Sequence, residues 1–190
     1  MNLLLMRHAE SVDDLTDQYG GWLDLDLTPH GIEQVVEACG TLSALNVTFD
    51  QILHSPLKRA VQSAQIISNQ LGIPTEELVY LKEKNGYGLL TGLVKSEANA
   101  KYPELVADLE SGYVFGAEPQ STFIERVKRA FQIILDNDKN TIIVTHGGFL
   151  KCLFEQVLDL HYIRANDAGF VLWDTEDKKV INSNNFEFEV

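Results

Sequence analysis

Apolar and polar positions alternate along this chain in two rhythms, one fitting strands and one fitting helices. Residues 2–7 form a short apolar run that ends where Arg7, His8 and Glu10 begin, which predicts a strand opening the chain. Residues 13–28 lack periodicity, carry Gly20, Gly21 and several aspartates, and read as a loop. Thr28-Pro29 then starts a helix, with Thr28 as N-cap and Pro29 in the first turn, and Ile32, Val35, Val36, Cys39 and Leu42 recur at helical spacing. Residues 49–54 predict a second strand. Ser55-Pro56 can cap the helix after it, whose apolar face is Leu57, Ala60, Val61, Ala64, Ile67 and Leu71 and which Gly72 ends.

Further on, residues 78–81 predict a short strand, and Gly86, Gly88 and Gly92 mark loop structure. Residues 95–110 and 121–135 are helical, separated by a loop at 112–119. Residues 141–145 are apolar and β-branched at nearly every position, as strands buried on both faces are. His146-Gly147-Gly148 follows, then a helix over 149–158, then closing strands at 168–173 and 179–182, with only the last residues loosely held. Strands alternating with helices predict an α/β fold, a three-layer α/β/α sandwich on a mostly parallel sheet. At 190 residues the chain suits a single domain over 1–190, with a cap-like region at roughly 80–120.

Composition narrows the function. Fifteen basic residues against 28 acidic ones give a net charge of −13, which disfavours nucleic acid and anionic membrane surfaces as partners. No apolar run is long enough to cross a membrane. The opening apolar run is too short for a signal-peptide core and Arg7 interrupts it, so the expected location is cytoplasmic. Cys39 and Cys152 each fall in an amphipathic helical pattern, which predicts buried thiols rather than a disulfide or a zinc site.

In open α/β sheets, ligands bind where strand-to-helix loops converge at the carboxyl ends of the strands. Three loops in that position carry chemistry: Arg7-His8-Ala9-Glu10, Ser55 to Arg59, and His146-Gly147-Gly148. A neutral imidazole can attack phosphorus to form phosphohistidine. The transferred group spreads negative charge over its oxygens, which bidentate guanidinium groups such as Arg7 and Arg59 stabilise, with His146 as a further donor, preferably as an imidazolium. Gly147 and Gly148 allow close backbone approach to a phosphate. A carboxylic acid must protonate the departing alkoxide and then activate water. A metal bound by His8 and His146 is disfavoured by the two arginines beside them, and no serine lies in a Gly-x-Ser-x-Gly elbow. His30, His54 and His161 read as structural.

These residues resemble the histidine phosphatases, the superfamily that includes cofactor-dependent phosphoglycerate mutase. The motifs that match, in order, are Arg7-His8-Ala9-Glu10, the Gly-Trp-x-Asp-x-x-Leu-Thr stretch from Gly21 to Thr28, Gly31 to Gln34, Ser55 to Ala64, Gly116 to Val127, and Thr145 to Gly148. The resemblance spans nearly the whole chain. It implies His8 as nucleophile, Arg7, Arg59 and His146 as the phosphate pocket, and Glu83 as general acid/base. It also implies Asp14, Gly21, Tyr87, Lys95 and Gly147 as substrate contacts. Two positions depart from the common pattern, where Asp14 replaces an asparagine and Gln18 an arginine. The extra arginine pair of glycolytic mutases is absent.

The implied activity is metal-independent hydrolysis of a small phosphorylated metabolite, with no cofactor. The alternative is a mutase using 2,3-bisphosphoglycerate, which returns the phosphoryl group to a second hydroxyl. A non-catalytic phosphate-binding module is the third reading. Dimers are common among members, so a homodimer is compatible with the resemblance.

Overall fold

The computed structural model describes residues 1–112 and 114–188. Six strands make one sheet in the order β3-β2-β4-β1-β5-β6. In chain order they are β1 (Asn2–Arg7), β2 (Gln51–His54), β3 (Thr75–Glu77), β4 (Thr141–Thr145), β5 (Tyr162–Asp174) and β6 (Lys179–Phe188). The first four are parallel, and β5 and β6 add antiparallel on the far side of β1. The helices are α1 (Val12–Leu15), α2 (Pro29–Ser43), α3 (Lys58–Leu71), α4 (Lys95–Lys101), α5 (Pro103–Glu110), α6 (Gln120–Asp136) and α7 (Gly147–Gln156). None of them is long and apolar enough to cross a membrane.

The period of two in β1 divides its side chains between two cores. Leu3 and Leu5 pack with Ile143, Phe123, Val127 and Phe149 under α6 and α7. Leu4 and Met6 pack with Ile142, Val144, Val35 and Ala64 under α2 and α3. The fold is therefore the expected α/β/α sandwich. β4 is buried at all five positions between β1 and β2, which explains its uninterrupted apolar sequence.

Local signals place several boundaries as expected. The Thr28 hydroxyl accepts from Gly31 N, capping α2, and Gly72 ends α3 in the left-handed conformation, φ 71°. Cys39 and Cys152 are free, buried thiols, and burial pushes the latter up to about 11. Other expectations need correction. The apolar face of α2 is Val35, Ala38, Cys39 and Leu42, while Ile32 and Val36 are exposed. Residues 78–81 hold a short 3₁₀ turn, and the strand precedes it as β3, a polar edge strand with no hydrophobic pattern to announce it. The helix over 95–110 is two, because Pro103 lacks an N–H and turns Tyr102 out of helical geometry, φ −136° and ψ 50°.

The loop at 13–28 begins with α1, and residues 49 and 50 fall outside β2. Ser55 does not cap α3, which starts at Lys58. Both closing strands are longer than expected, and Phe186 is buried against Phe154 and Tyr162, so the end of the described chain is anchored. Residue 113 in the 112–119 loop lies outside the described residues, as do residues 189 and 190.

Between β3 and α6 the chain leaves the sheet. Leu90, Ala98 and Val106 form a small separate core with Tyr19. Backbone bonds from Tyr19 N to Leu93 O and from Gly92 N to Tyr19 O tie this excursion to the loop after α1. The two segments face each other across the carboxyl ends of β1 and β4.

Candidate active site

A cavity of about 520 Å³ opens there, lined by Arg7, His8, Arg59, Glu83, Tyr87, Lys95 and Gly147 among others. Asp14 and Gly21 also line it. All the residues expected at the site therefore meet in one place except His146, which is fully buried beside the cavity with its ring 5.0 Å from that of His8.

His8 follows directly on β1, and its backbone N–H donates to Thr145 O at the end of β4. It is buried, not poised at an open loop mouth. Its Nδ1 lies 2.7 Å from Ala9 O, which can only accept, so Nδ1 carries the proton. Its Nε2 accepts from Arg59 Nε at 3.1 Å, so a lone pair stands on that nitrogen. Burial, followed by the charges of Arg59 and Arg7, holds the imidazole well below its ordinary pKa and keeps it neutral. The other two Arg59 nitrogens donate to Leu23 O at 2.6 Å and Gly21 O at 2.9 Å, so Gly21 enters the site through its carbonyl.

His146 Nε2 lies 2.7 Å from the Ser55 hydroxyl, and its Nδ1 has no partner. Ser55 Oγ also accepts from Leu57 N at 3.3 Å, and its hydroxyl, with one proton and two lone pairs, can pair with His146 Nε2 as donor or as acceptor. A buried ring nitrogen with no partner is costly, and a bound group that pairs with it would relieve that cost. Burial, then His8, holds His146 well below its ordinary pKa, so the ring is neutral and not the expected imidazolium.

Arg7 is held by the other side of the sheet. Between Ala165 and Phe170, β5 slips register against β6. In this bulge Ala165 O accepts from Arg7 Nη1 at 3.1 Å, and Ala168 N donates to His8 O at 3.2 Å. Asp167 Oδ1 stands 3.0 Å from Arg7 Nη2, off the N–H direction, so the contact is ionic. Asp14 is more remote from Arg7 at 3.9 Å, and its carboxylate accepts from Ser11 N at 2.9 Å, turned toward the start of α1.

Glu83 approaches from the opposite wall. Its Oε2 accepts from Gly148 N at 2.9 Å, at the N-terminus of α7, and its Oε1 accepts from Lys84 N at 2.7 Å. A Cβ on Gly148 would stand 2.5 Å from Glu83 Oε1, so this glycine makes room for the carboxylate and not primarily for a phosphate. Crowding by protein raises the Glu83 pKa, against the opposing pull of those two N–H groups and the arginines. Tyr87 packs on Tyr19 at 5.2 Å, and the Lys95 ammonium is paired with Asp17.

The cavity wall thus has four cations, Arg7, Arg59, Lys84 and Lys95, against four carboxylates, Asp13, Asp14, Asp17 and Glu83. Among the described residues no group of three or more His, Cys, Asp or Glu is placed to hold a metal. Sequence reasoning missed Asp13, Asp17 and Asp167. Asp13 and Asp17 had only their place in an acidic loop as a signal, and Asp167 had none.

Residues 3–171 match the family model of the histidine phosphatase superfamily (branch 1). The chain belongs to that superfamily. Among its relatives in the superfamily, 2,3-bisphosphoglycerate-dependent phosphoglycerate mutase 2 of Lactiplantibacillus plantarum is 31% identical over 197 residues, covering 83% of this chain and 85% of that protein. A 2,3-bisphosphoglycerate-dependent phosphoglycerate mutase of Bradyrhizobium sp. is 39% identical over 167 residues, covering 80% and 78%. Among solved structures, the α-ribazole phosphatase of Shigella flexneri superposes over 100% of both chains with a TM-score of 0.81 at 24% identity. At such identity the likeness concerns the histidine phosphatase fold alone.

Proposed function

We propose that this chain is a phosphomonoester hydrolase that works through a phosphohistidine on His8, with Glu83 as acid and then base. The observation that carries the chemistry is the fixed tautomer of His8: Nδ1–H donates to Ala9 O, leaving the Nε2 lone pair toward the cavity. In the first step Nε2 attacks phosphorus as the P–O ester bond breaks, and the Glu83 carboxyl gives its proton to the departing alkoxide. Arg59 Nε–H, released from His8 Nε2, and the unpartnered His146 Nδ1, acting in its protonated tautomer, stabilise the charge on the transferring group. In the second step Glu83 takes a proton from water, the water oxygen attacks phosphorus, and the N–P bond breaks to release phosphate. The sequence of steps needs neither metal nor cofactor.

Hydrolysis is favoured over mutase chemistry by the charge of the cavity wall. A mutase must hold an organic group that carries two phosphates, and here four carboxylates oppose four cations, with Lys95 already paired to Asp17 and Arg7 to Asp167. A small monoester with an uncharged, hydroxylated leaving group suits this wall better than a phosphoglycerate. The mutase reading keeps its support from the relatives, whose names are those of mutases. A binding module without turnover is opposed by the convergence of nucleophile, acid and phosphate donors on one cavity.

The test is phosphate release from a panel of small phosphomonoesters in EDTA, for wild type and His8→Ala. Chelator-resistant release that disappears in the variant supports the hydrolase. Interconversion of phosphoglycerates that depends on 2,3-bisphosphoglycerate, without net phosphate, would replace it by the mutase.

A further inference from the structure

Glu83 sits on a stretch without regular structure, between the 3₁₀ turns Val79–Leu81 and Gly88–Leu90. No strand neighbour fixes its backbone, yet a general acid must stand within a fraction of an ångström of its working position. Arg126, on α6 and outside the cavity wall, makes up for the missing ladder. Its Nη1 donates to Tyr80 O at 2.9 Å and Lys82 O at 2.6 Å, and its Nη2 donates to Glu83 O at 3.0 Å. The remaining N–H groups, one on Nε and one on Nη2, go to the two oxygens of Glu118 at 2.8 and 2.7 Å. All five donors of the guanidinium are thereby used.

Glu118 extends the clamp by one more turn of chain. Its backbone N–H donates to Asn85 O at 2.8 Å, and its Oε2 accepts weakly from Asn85 N at 3.4 Å. The carbonyl Arg126 skips, Leu81 O, is taken by the Thr145 hydroxyl at 2.7 Å, from the end of β4 next to His146. The pair is largely buried, with 15% and 10% of the two side chains exposed. A buried ion pair is poor evidence of stabilisation in itself, and its use in such cases is to specify one arrangement. Here the arrangement specified is the path of residues 80–85, which carries Glu83.

We infer that Arg126, oriented by Glu118, is a positioning residue for the general acid: it acts through the backbone of residues 80–83 to set the Glu83 carboxyl against the leaving group. This rests on the proposed role of Glu83. A lysine has the charge but neither the planar fork nor the five donors, so Arg126→Lys retains the cation and loses the geometry.

The experiment compares, within each preparation, turnover of an alkyl phosphate (β-glycerophosphate) with that of p-nitrophenyl phosphate, whose leaving oxygen barely needs a proton. The ratio of the two rates does not depend on how much of the protein is folded, so mere destabilisation does not move it. Wild type, Glu83→Gln, Arg126→Lys and the double variant are measured together. We expect the alkyl-to-aryl ratio to fall by about tenfold or more in Glu83→Gln and in Arg126→Lys, with no further fall in the double variant. If Arg126→Lys does not yield soluble protein, Glu118→Gln, which loosens the fork without removing it, should shift the ratio the same way by a smaller factor.

A ratio unchanged in the Arg126 or Glu118 variants while Glu83→Gln lowers it would overturn the positioning role and leave the acid assignment standing. A ratio unchanged in Glu83→Gln would overturn the acid assignment, and the positioning role with it.

Discussion

His8 and Glu83 face the same cavity, but the fold secures them by different means. His8 continues a central strand: its backbone bonds to the neighbouring strand, its ring is locked between Ala9 O and Arg59, and two hydrophobic cores close in beneath it. Glu83 lies on an irregular stretch whose carbonyls are held by side chains from α6, from β4 and from Trp22. The difference suits the work proposed for each group. A nucleophile acts at one point and benefits from rigidity. An acid that later becomes a base must meet first the leaving group and then water, and side-chain tethers hold its stretch in place where no strand neighbour does.

Removing the proposed nucleophile tests the rigid side most severely. His8→Ala should lower turnover of p-nitrophenyl phosphate by at least about 10³-fold, since removing a covalent nucleophile leaves only binding and charge stabilisation. Release within tenfold of wild type would end the assignment of His8. On the acid side, Gly148→Ala pushes a methyl into the Glu83 carboxylate and should cost about 10²-fold on an alkyl phosphate, a loss set by a displacement on the order of 1 Å. Parallel thermal melts should show that this variant remains folded. If its alkyl turnover equals that of wild type, Glu83 does not need its seat at the start of α7.

Acidity separates the two sides next. The proposed first step needs His8 neutral and Glu83 protonated. His8 titrates below the ordinary imidazole value of about 6.5 and Glu83 above the ordinary glutamate value of about 4.3, so the optimum of kcat/KM lies between the two shifted values. Beyond either edge the rate should fall about tenfold per pH unit, and Glu83→Gln should abolish the alkaline edge while keeping the acid one. Stability carries opposite signs. Below about pH 6.5 the unfolded chain binds protons that buried His8 and His146 refuse, so these two destabilise the fold as pH drops toward their folded values. Glu83 keeps its proton longer when folded, so its contribution is present below the unfolded value and is lost as pH rises through the folded one. Urea midpoints against pH for wild type and His8→Asn would resolve the first of these, as a shallower acid loss in the variant.

The smallest effect is expected at the support of His146. Ser55→Ala removes the hydroxyl bonded to its Nε2 and should reduce turnover by about tenfold or less, with both leaving groups affected alike. A loss confined to the alkyl substrate would instead connect Ser55 to the acid side.

The same contrast governs what the amino-acid sequence discloses. β1, the Thr28 cap, Gly72 and β4 are written in adjacent residues, and the nucleophile side sits at the ends of those elements. The arrangement of the acid side is spread over distant positions: Arg126 and Glu83 are 43 residues apart, and Arg126 stood out only as part of a motif. Asp167 belongs to a β5 bulge, whose place depends on register against β6 and on Gly169, where a Cβ would fall 2.4 Å from Asn185 O. β3 has exposed polar side chains and no periodicity, so pairing with β2 alone identifies it. His146 was recognisable by type, but its neutral state comes from burial that only the packed structure supplies.

Trp22 turns the loop wall into an optical instrument. The chain has two tryptophans, and the other, Trp173, is packed in the core with 3% of its surface exposed. Trp22 is 40% exposed, its indole N–H donates to Glu83 O at 2.7 Å, and the Lys82 ammonium lies 3.8 Å from its ring. Light emission that iodide or acrylamide can quench therefore comes from the residue bonded to Glu83, against a shielded background. The wild-type chain thus carries, without a label, a reporter attached to the stretch that holds Glu83.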